Sequence, residues 1–252
     1  MKRTIVFVAS LLLIGSVCAQ KAKTVKLPKP DFEIKNLTVV DALMQRHSVR
    51  SFQTKDITDA ELSNLCWAAC GISRDENHIT APSAMNSQEI ILYVFNEKGA
   101  YRYNARDNSL VEVVRGDYRK LFVKNVNDNR RKSLKDVASM YRTTKDAKDE
   151  KIKSDEGQTW VKDAPVVLLM VADLDRIRGA AERSESFCYM DAGIVCENIN
   201  LYCTAVGLAT VPRASMDFPA LRDLLKLSPM QFPVLNNPVG YEAEQNNNSQ
   251  KK

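Results

Sequence analysis

The chain has 252 residues, of which 44% are apolar and 27% charged. This length and balance fit one good-sized globular domain and exclude a largely disordered protein. The net charge is +5, and it would be +3 without the basic residues Lys2 and Arg3 at the start of the chain. A charge this mild, on scattered basic residues, gives no reason to expect a nucleic-acid partner.

Residues 1–19 predict an export signal. A basic start precedes the apolar stretch 5–14, which is too short to span a bilayer, and the small residue Ala19 suits signal-peptidase cleavage. We expect cleavage after Ala19 and an exported protein, periplasmic or secreted, without stable membrane insertion. Two alternatives stay open: an uncleaved anchor, and a lipoprotein acylated on Cys18.

An extended leader and two helices follow. Residues 20–36 are lysine-rich and contain two prolines, which favours an extended leader. Thr38 is placed to cap an apolar-periodic helix. Residues 58–70 predict a second helix, in which Thr58 and Glu61 have the spacing of a capping box.

The middle and end of the chain predict strands with few helices between them. Strand signals, either β-branched and aromatic or continuously apolar, occupy residues 89–96, 101–103, 110–114, 164–172, 208–211 and 232–240. Residues 116–160 are polar, with helical stretches and no strand signal, and we interpret them as a lid or as an arm that reaches across a partner.

Two helices and a tail complete the prediction. Residues 186–206 form a long helix that is apolar around much of its circumference, so we expect it to be buried centrally or at a subunit interface. A shorter helix is predicted over residues 218–227, and residues 243–252 form a disordered tail. Helices and strands that do not alternate regularly indicate the α+β class rather than a doubly wound α/β fold.

The cysteines predict neither a disulfide framework nor a metal site. Beyond residue 19 their number is odd, and Cys66 and Cys70 lie one helical turn apart among apolar residues, as small core residues would. His47 and His78 are the only histidines, which leaves too few ligands for structural zinc.

Three short segments carry side chains or backbone suited to ligand binding. The first contains Arg46, His47, Ser48 and Arg50 directly after a helix, and guanidiniums with a hydroxyl make an efficient anion clamp. Its alternative interpretation is a basic helix terminus that forms only dipole or surface charge interactions.

The second and third segments lie beside the strands. Residues 81–88 combine small residues with Asn86 and Gln88, whose amides both donate and accept, as a heterocycle requires. Residues 207–215 follow the long helix and could present backbone N–H groups to a ligand. Their alternatives are an ordinary turn before a strand and a plain helix–strand connector.

The order of these motifs resembles that of the nitroreductase family. RHSVRSF, from residue 46, resembles the family's flavin-phosphate motif, and APSAMNSQEI, from residue 81, resembles its PSxxNxQ flavin-ring motif. Residues 191–212 are similar to the central dimer-interface helix and its loop, and PVGY, from residue 238, to the closing strand. Residues 101–119 further resemble the branch related to peptide azoline oxidases.

The resemblance implies an α+β domain over residues 37–242, with a central mixed or antiparallel sheet flanked by helices. Two subunits would interlock as a homodimer with FMN at their interface, and one subunit would supply the loop at residues 212–215 to the other's flavin. The cofactor-binding candidates carried over are Arg46, His47, Ser48, Arg50, Pro82, Ser83, Ala84, Met85, Asn86, Gln88, Pro212, Arg213, Ala214 and Ser215.

The implied activity is that of an exported FMN-dependent oxidoreductase. NADH or NADPH would pass a hydride to FMN, and a small conjugated acceptor would then take the electrons in ping-pong fashion. No side chain is assigned a catalytic role, and the sequence leaves the substrate and the natural donor open. Two alternatives remain: an exported flavin- or ligand-binding protein without turnover, and a purely structural dimeric surface protein.

One departure from the family bears on the phosphate. Relatives often carry a basic residue shortly after the closing strand, whereas here Glu242, Ala243 and Glu244 follow Tyr241. Phosphate binding would then depend on the amino-terminal cluster.

Overall fold

Residues 22–34, 36–124, 126, 157–177 and 184–244 are described by a computed structural model. The predicted signal peptide, most of the segment interpreted as a lid or arm, and nearly all of the predicted tail lie outside these residues. No helix in the described ranges is long and apolar enough to cross a membrane.

Four α-helices occur in the described part of the chain: α1 (Val39–Gln45), α2 (Asp59–Cys70), α3 (Ser184–Val206) and α4 (Phe218–Leu225). The caps are those the sequence predicts. The Thr38 hydroxyl accepts a hydrogen bond from the Asp41 N–H, and Thr58 and Glu61 form a complete capping box. Helix α4 ends two residues before its predicted end, because Lys226 adopts the left-handed conformation and its N–H closes the last turn.

Seven strands form one sheet in the order β1-β4-β3-β2-β5-β7-β6, and each neighbouring pair is antiparallel. The α+β class is therefore confirmed, with an antiparallel sheet. The strands are β1 (Thr24–Lys26), β2 (Ile90–Asn96), β3 (Gly99–Asn104), β4 (Ser109–Arg115), β5 (Val166–Asp173), β6 (Ala209–Thr210) and β7 (Gln231–Gly240).

Two sequence predictions about strands were wrong in part. The leader predicted as merely extended contains β1, in which Val25 pairs with Leu110 of β4 at the edge of the sheet. Strand β6 is limited to two residues that pair with β7, because Pro212 follows closely and has no N–H to extend the ladder.

Both faces of the sheet are covered, so its central strand is buried throughout. Every residue of β5 is buried, as its continuous apolar run predicts. One face packs against α2 and α3 through residues such as Leu65 and Ile199. The other packs against α4 and two short 3-10 turns, through residues such as Leu221 and Phe122. Helix α3 thus lies centrally against the sheet.

The cysteines of the described residues are all free and buried: Cys66, Cys70, Cys188, Cys196 and Cys203. The prediction that Cys66 and Cys70 are core residues is confirmed. Burial raises the pKa of the Cys70 thiol to about 12, so this group stays protonated and unreactive at neutral pH.

Candidate functional site

The basic segment at residues 46–51 is anchored by one apolar residue. Val49 is buried, and its N–H donates to the Thr210 carbonyl at 3.1 Å. Around it His47, Ser48 and Arg50 are exposed and Arg46 is half-buried. The alternation leaves the polar groups of the predicted anion clamp on the surface while the backbone is fixed to β6.

The segment after β7 folds back onto this cluster. Glu242 forms a bridge with Phe52, and the Ala243 N–H donates to the Ser51 carbonyl at 3.1 Å. The Glu242 carboxylate then lies 3.7 Å from Nε2 of His47. The negatively charged Glu242 therefore lies beside the predicted anion clamp. The family resemblance leads one to expect a basic residue near this position.

The loop at residues 83–88 has an unusual backbone. Met85, Asn86 and Gln88 all have φ near +50°, in the left-handed region that non-glycine residues rarely adopt. Two contacts hold the loop. The Gln88 N–H donates to the Ser83 hydroxyl at 2.9 Å, and the Ala84 N–H donates to the Asp191 carboxylate at 2.8 Å. Such over-determined strain is typical of ligand-binding segments.

The loop presents polar and apolar groups outward. Nδ2 of Asn86 and Nε2 of Gln88 both donate to the Asn77 carbonyl, at 3.0 and 2.8 Å, so the two amides are already oriented. Pro82, Met85 and Asn86 are exposed, whereas Ser83, Ala84 and Gln88 are half-buried. These are hydrogen-bonding groups beside an apolar side chain, as a planar heterocycle would require.

Two carboxyl groups lie beneath this loop. Glu89 is fully buried, and its Oε2 accepts a hydrogen bond from the Ser87 hydroxyl at 2.6 Å. Its other oxygen, Oε1, is buried without a hydrogen-bond partner. Burial raises the pKa of Glu89, and the neighbouring Asp191 carboxyl raises it further. Sequence reasoning missed this pair, since its two members lie far apart along the chain.

The loop at residues 212–215 is supported from within by Arg213. Its guanidinium donates to Oδ1 of Asn236, Oε1 of Gln158 and the Phe122 carbonyl, each at 2.8 Å, and stacks over the Trp160 ring. Burial lowers the pKa of Arg213 to about 10, which still leaves it protonated at neutral pH.

The Arg213 side chain is buried and hydrogen-bonded within the protein, so the cofactor contact predicted for this residue stays a prediction about its backbone. Pro212 and Ala214 are exposed and Ser215 is half-buried, so these three and the loop backbone keep the predicted role.

A buried amide network links these segments and was missed by sequence reasoning. Nδ2 of Asn237 on β7 donates to Asn200 on α3 and to the Thr210 hydroxyl on β6, at 3.0 and 3.2 Å. Cys196 donates its thiol to Oδ1 of Asn237 at 3.1 Å. The network joins the C-terminal half of α3 to β6 and β7, and β6 in turn binds the basic segment.

Within one chain the three segments form two groups. The contact between Val49 and Thr210 joins residues 46–51 to the strand that leads into 212–215. The loop at 83–88 instead contacts Asp191 of α3, whereas the amide network that binds β6 reaches α3 at Asn200. A helix rises 1.5 Å per residue, so these two contacts lie about 14 Å apart along α3.

Comparison with known proteins gives the same family as the motifs. Residues 43–241 match the family model described as "Nitroreductase family". A "putative nitroreductase" of Methanocaldococcus jannaschii is 28% identical over 233 residues, covering 88% of this chain and 98% of that protein. "FMN reductase [NAD(P)H]" of Bacillus subtilis is 21% identical over 221 residues, covering 82% and 66%.

A solved structure agrees in fold. The crystal structure of a "putative nitroreductase" of Ralstonia eutropha is 26% identical, with a TM-score of 0.70, and covers 88% of this chain and 90% of that one. Since the family model spans most of the described residues and the sheet and helices match, the chain belongs to the nitroreductase family of flavin-dependent oxidoreductases.

Proposed function

We propose that the protein is an exported, FMN-dependent oxidoreductase that works as a homodimer and transfers electrons from a reduced donor such as NADH or NADPH to a small conjugated acceptor. The observation that carries this proposal is the loop at 83–88. Its strained backbone is held from below by Asp191, and its oriented amides face outward. Such a loop serves a ligand, and the family membership indicates a flavin.

The described side chains fit FMN in two places. The exposed cluster of Arg46, His47, Ser48 and Arg50 offers charged and hydroxyl donors to a phosphate. The amides of the 83–88 loop suit the donor and acceptor edge of the flavin ring. The carboxylate of Glu242 weakens the first place, so Arg46 and Arg50 would provide most of its positive charge.

The bound flavin would supply the redox chemistry, accepting a hydride from the donor and passing electrons to the acceptor. The protein's own residues would bind the flavin, orient it and shield it from solvent. The loop at 212–215 offers backbone groups toward the ring, and the buried cation of Arg213 holds that loop rigid. We assign no side chain as an acid, base or nucleophile.

A second copy would complete the site. The surface of α1 exposes four apolar side chains, with Val39, Val40, Leu43 and Met44 between 57 and 79% exposed, and Met190 on α3 is 51% exposed. Such a surface is typical of an interface. Two-fold pairing along α3 would bring one copy's 83–88 loop to the other's 46–51 and 212–215 segments.

The export signal bears on the electron donor. Nicotinamide cofactors are chiefly cytoplasmic, so a donor other than NADH or NADPH is a real option outside the cytoplasm. The substrate class would depend on the pocket wall, to which the segment between residues 116 and 160 is our candidate contributor.

The test is the visible absorption spectrum of the purified mature protein, with the released chromophore identified by mass. A yellow protein that releases FMN supports the proposal. A colourless protein that also fails to take up added FMN would overturn it.

A second candidate function is that of an exported flavin- or ligand-binding protein without turnover, which the phosphate cluster weakened by Glu242 and the predicted export signal together motivate. It predicts bound FMN that neither NADH nor NADPH reduces under anaerobic conditions. Bleaching of the flavin spectrum by either donor would exclude this second candidate.

A further inference from the structure

The 83–88 loop depends on two acids that the family motif does not include. Asp191 holds the Ala84 N–H and Glu89 holds the Ser87 hydroxyl, and these two loop residues are themselves joined by a hydrogen bond from the Ser87 N–H to the Ala84 carbonyl. Both acids therefore form hydrogen bonds with the same turn, on its buried side. That turn contains Met85 and Asn86, whose left-handed backbone needs external support.

The two acids cannot both be charged without conflict. Glu89 is fully buried and Asp191 is 6% exposed. As two carboxylates they would have no hydrogen bond to share, because neither carries a donor. A proton on Glu89 supplies a donor for the neighbouring Asp191 carboxyl, while Oε2 of Glu89 continues to accept from Ser87. It also gives a hydrogen-bonding role to the Glu89 carboxyl, whose Oε1 is buried without a partner.

Other charges near the loop already have partners. Arg176 lies 3.5 Å from Asp173 and donates to the Gln88 carbonyl at 2.9 Å. His78 contacts Asp75 at 2.7 Å. Among the described residues no cation pairs with Glu89 or Asp191, so a proton is the available means of neutralising one of them.

We propose that Glu89 and Asp191 share one proton and form an acid pair that positions the 83–88 loop for its cofactor. Glu89 is thereby a positioning residue that acts through the loop. This inference rests on the proposed function for the identity of the cofactor, but the acid pair itself is a property of the free protein.

The pair gives flavin binding a defined dependence on pH. Burial raises the pKa of Glu89, so its proton is retained to a higher pH than on a free glutamate and is lost as the pH rises through that raised value. Above it, two buried carboxylates repel each other and the turn loosens. Affinity for FMN should therefore be highest below that raised pKa and should fall as the pH rises above it.

The experiment compares wild type with Glu89→Gln and Glu89→Ala, each titrated with FMN across a pH series. Glutamine keeps an acceptor for Ser87 and a permanent donor for Asp191, so Glu89→Gln should bind FMN without this fall at higher pH. Glu89→Ala should bind about tenfold more weakly than wild type at pH values below the raised pKa, since it lacks both hydrogen bonds. Glu97→Gln removes an exposed acid at the other end of β2 and should behave as wild type.

Two measurements on the free protein separate this inference from the proposed function. The infrared difference spectrum between the free protein at low and at high pH should contain a protonated-carboxyl band. Glu89→Gln should lack this band, and Glu97→Gln should keep it. Hydrogen exchange of a peptide that contains Ala84 should be slow in wild type and Glu89→Gln and faster in Glu89→Ala.

The absence of that band, or equal exchange in all variants, overturns the acid pair even if FMN binds. A wild type that binds no FMN overturns the proposed function, and with it the cofactor role of the pair.

Discussion

The Val49 N–H donates to the Thr210 carbonyl at 3.1 Å, and this single bond joins the basic segment at 46–51 to β6. The Thr210 hydroxyl in turn donates to the Pro238 carbonyl on β7 at 2.9 Å. The predicted phosphate-binding cluster and the loop at 212–215 are therefore both attached to one strand pair, β6 and β7. Their relative position is set by the sheet rather than by flexible connections.

Asn86→Ala should weaken flavin binding by about 1–3 kcal/mol, because it removes a paired amide from the ring-facing loop. A fluorescence titration with FMN measures the change. Asn104→Ala, at the end of β3, is the control and should bind as wild type does. Unchanged affinity in Asn86→Ala would rule out the site as described.

Glu242→Lys should strengthen FMN binding, because it replaces a carboxylate 3.7 Å from His47 with a cation. For such exposed groups the gain should be up to about 1 kcal/mol, and it should shrink at high salt. Titrations at low and high ionic strength test both statements. Glu244→Lys makes the same charge change two residues further on and should have the smaller effect; equal effects would point to net charge instead of the local contact.

Arg213→Met should destabilise the protein by about 3–5 kcal/mol, since it leaves the oxygens of buried Asn236 and Phe122, together with Oε1 of Gln158, without their donor. Urea unfolding at neutral pH, followed by circular dichroism, gives the difference. Arg222→Met, which removes a guanidinium from α4, gives the loss of unfolding free energy with which the loss for Arg213→Met is compared. A loss below about 1 kcal/mol for Arg213→Met would mean that the guanidinium is not the support of the loop.

Leu43→Glu should convert the proposed dimer to a monomer that no longer retains FMN, because it places a charge in the exposed apolar surface of α1. Sedimentation measures the oligomeric state, and the spectrum measures retained flavin. Gln45→Glu adds the same charge to the same helix without removing an apolar group. A monomeric wild type, or a Leu43→Glu dimer, would show that this surface is not the interface.

Tyr241→Phe should lower the free energy of unfolding by about 1 kcal/mol at neutral pH. Burial opposes ionisation of Glu61, but hydrogen bonds from Thr58 and from the Tyr241 hydroxyl, the latter at 2.7 Å, hold its pKa below the usual value. That stabilisation is present above the pKa of a free glutamate and is lost as the pH falls through the lowered value. The difference in the free energy of unfolding between wild type and Tyr241→Phe should therefore become smaller at acidic pH. A difference that stays constant with pH would contradict this explanation.

Much of the fold could be predicted because local chemistry and tertiary environment agree. The capping box of Thr58 and Glu61 starts α2 where expected, and the continuous apolar run of β5 is buried on both faces. The residues within each of these two elements are enough to predict its structure. The sheet order and the strand pairing, in contrast, depend on contacts between distant segments.

The missed features are buried polar groups and one short strand. Asn237 and Arg213 are buried because residues distant in sequence form hydrogen bonds with them, and Glu89 is buried beside Asp191 of α3. A linear pattern assigns such residues to the surface. Strand β1 was missed because its hydrogen bonds come entirely from β4. The three site motifs were found individually, but their division into two groups along α3 follows only from the fold.

Strand β1 also bears on solubility. It covers part of the outer edge of β4, is itself short, follows Lys23 and ends with Lys26, a pattern that discourages edge-to-edge aggregation. Cleavage after Ala19, as the sequence predicts, would keep this strand in the mature protein. Trimming past Lys26 would uncover β4 and invite intermolecular sheet growth, so an expressed form of this enzyme should begin before Thr24.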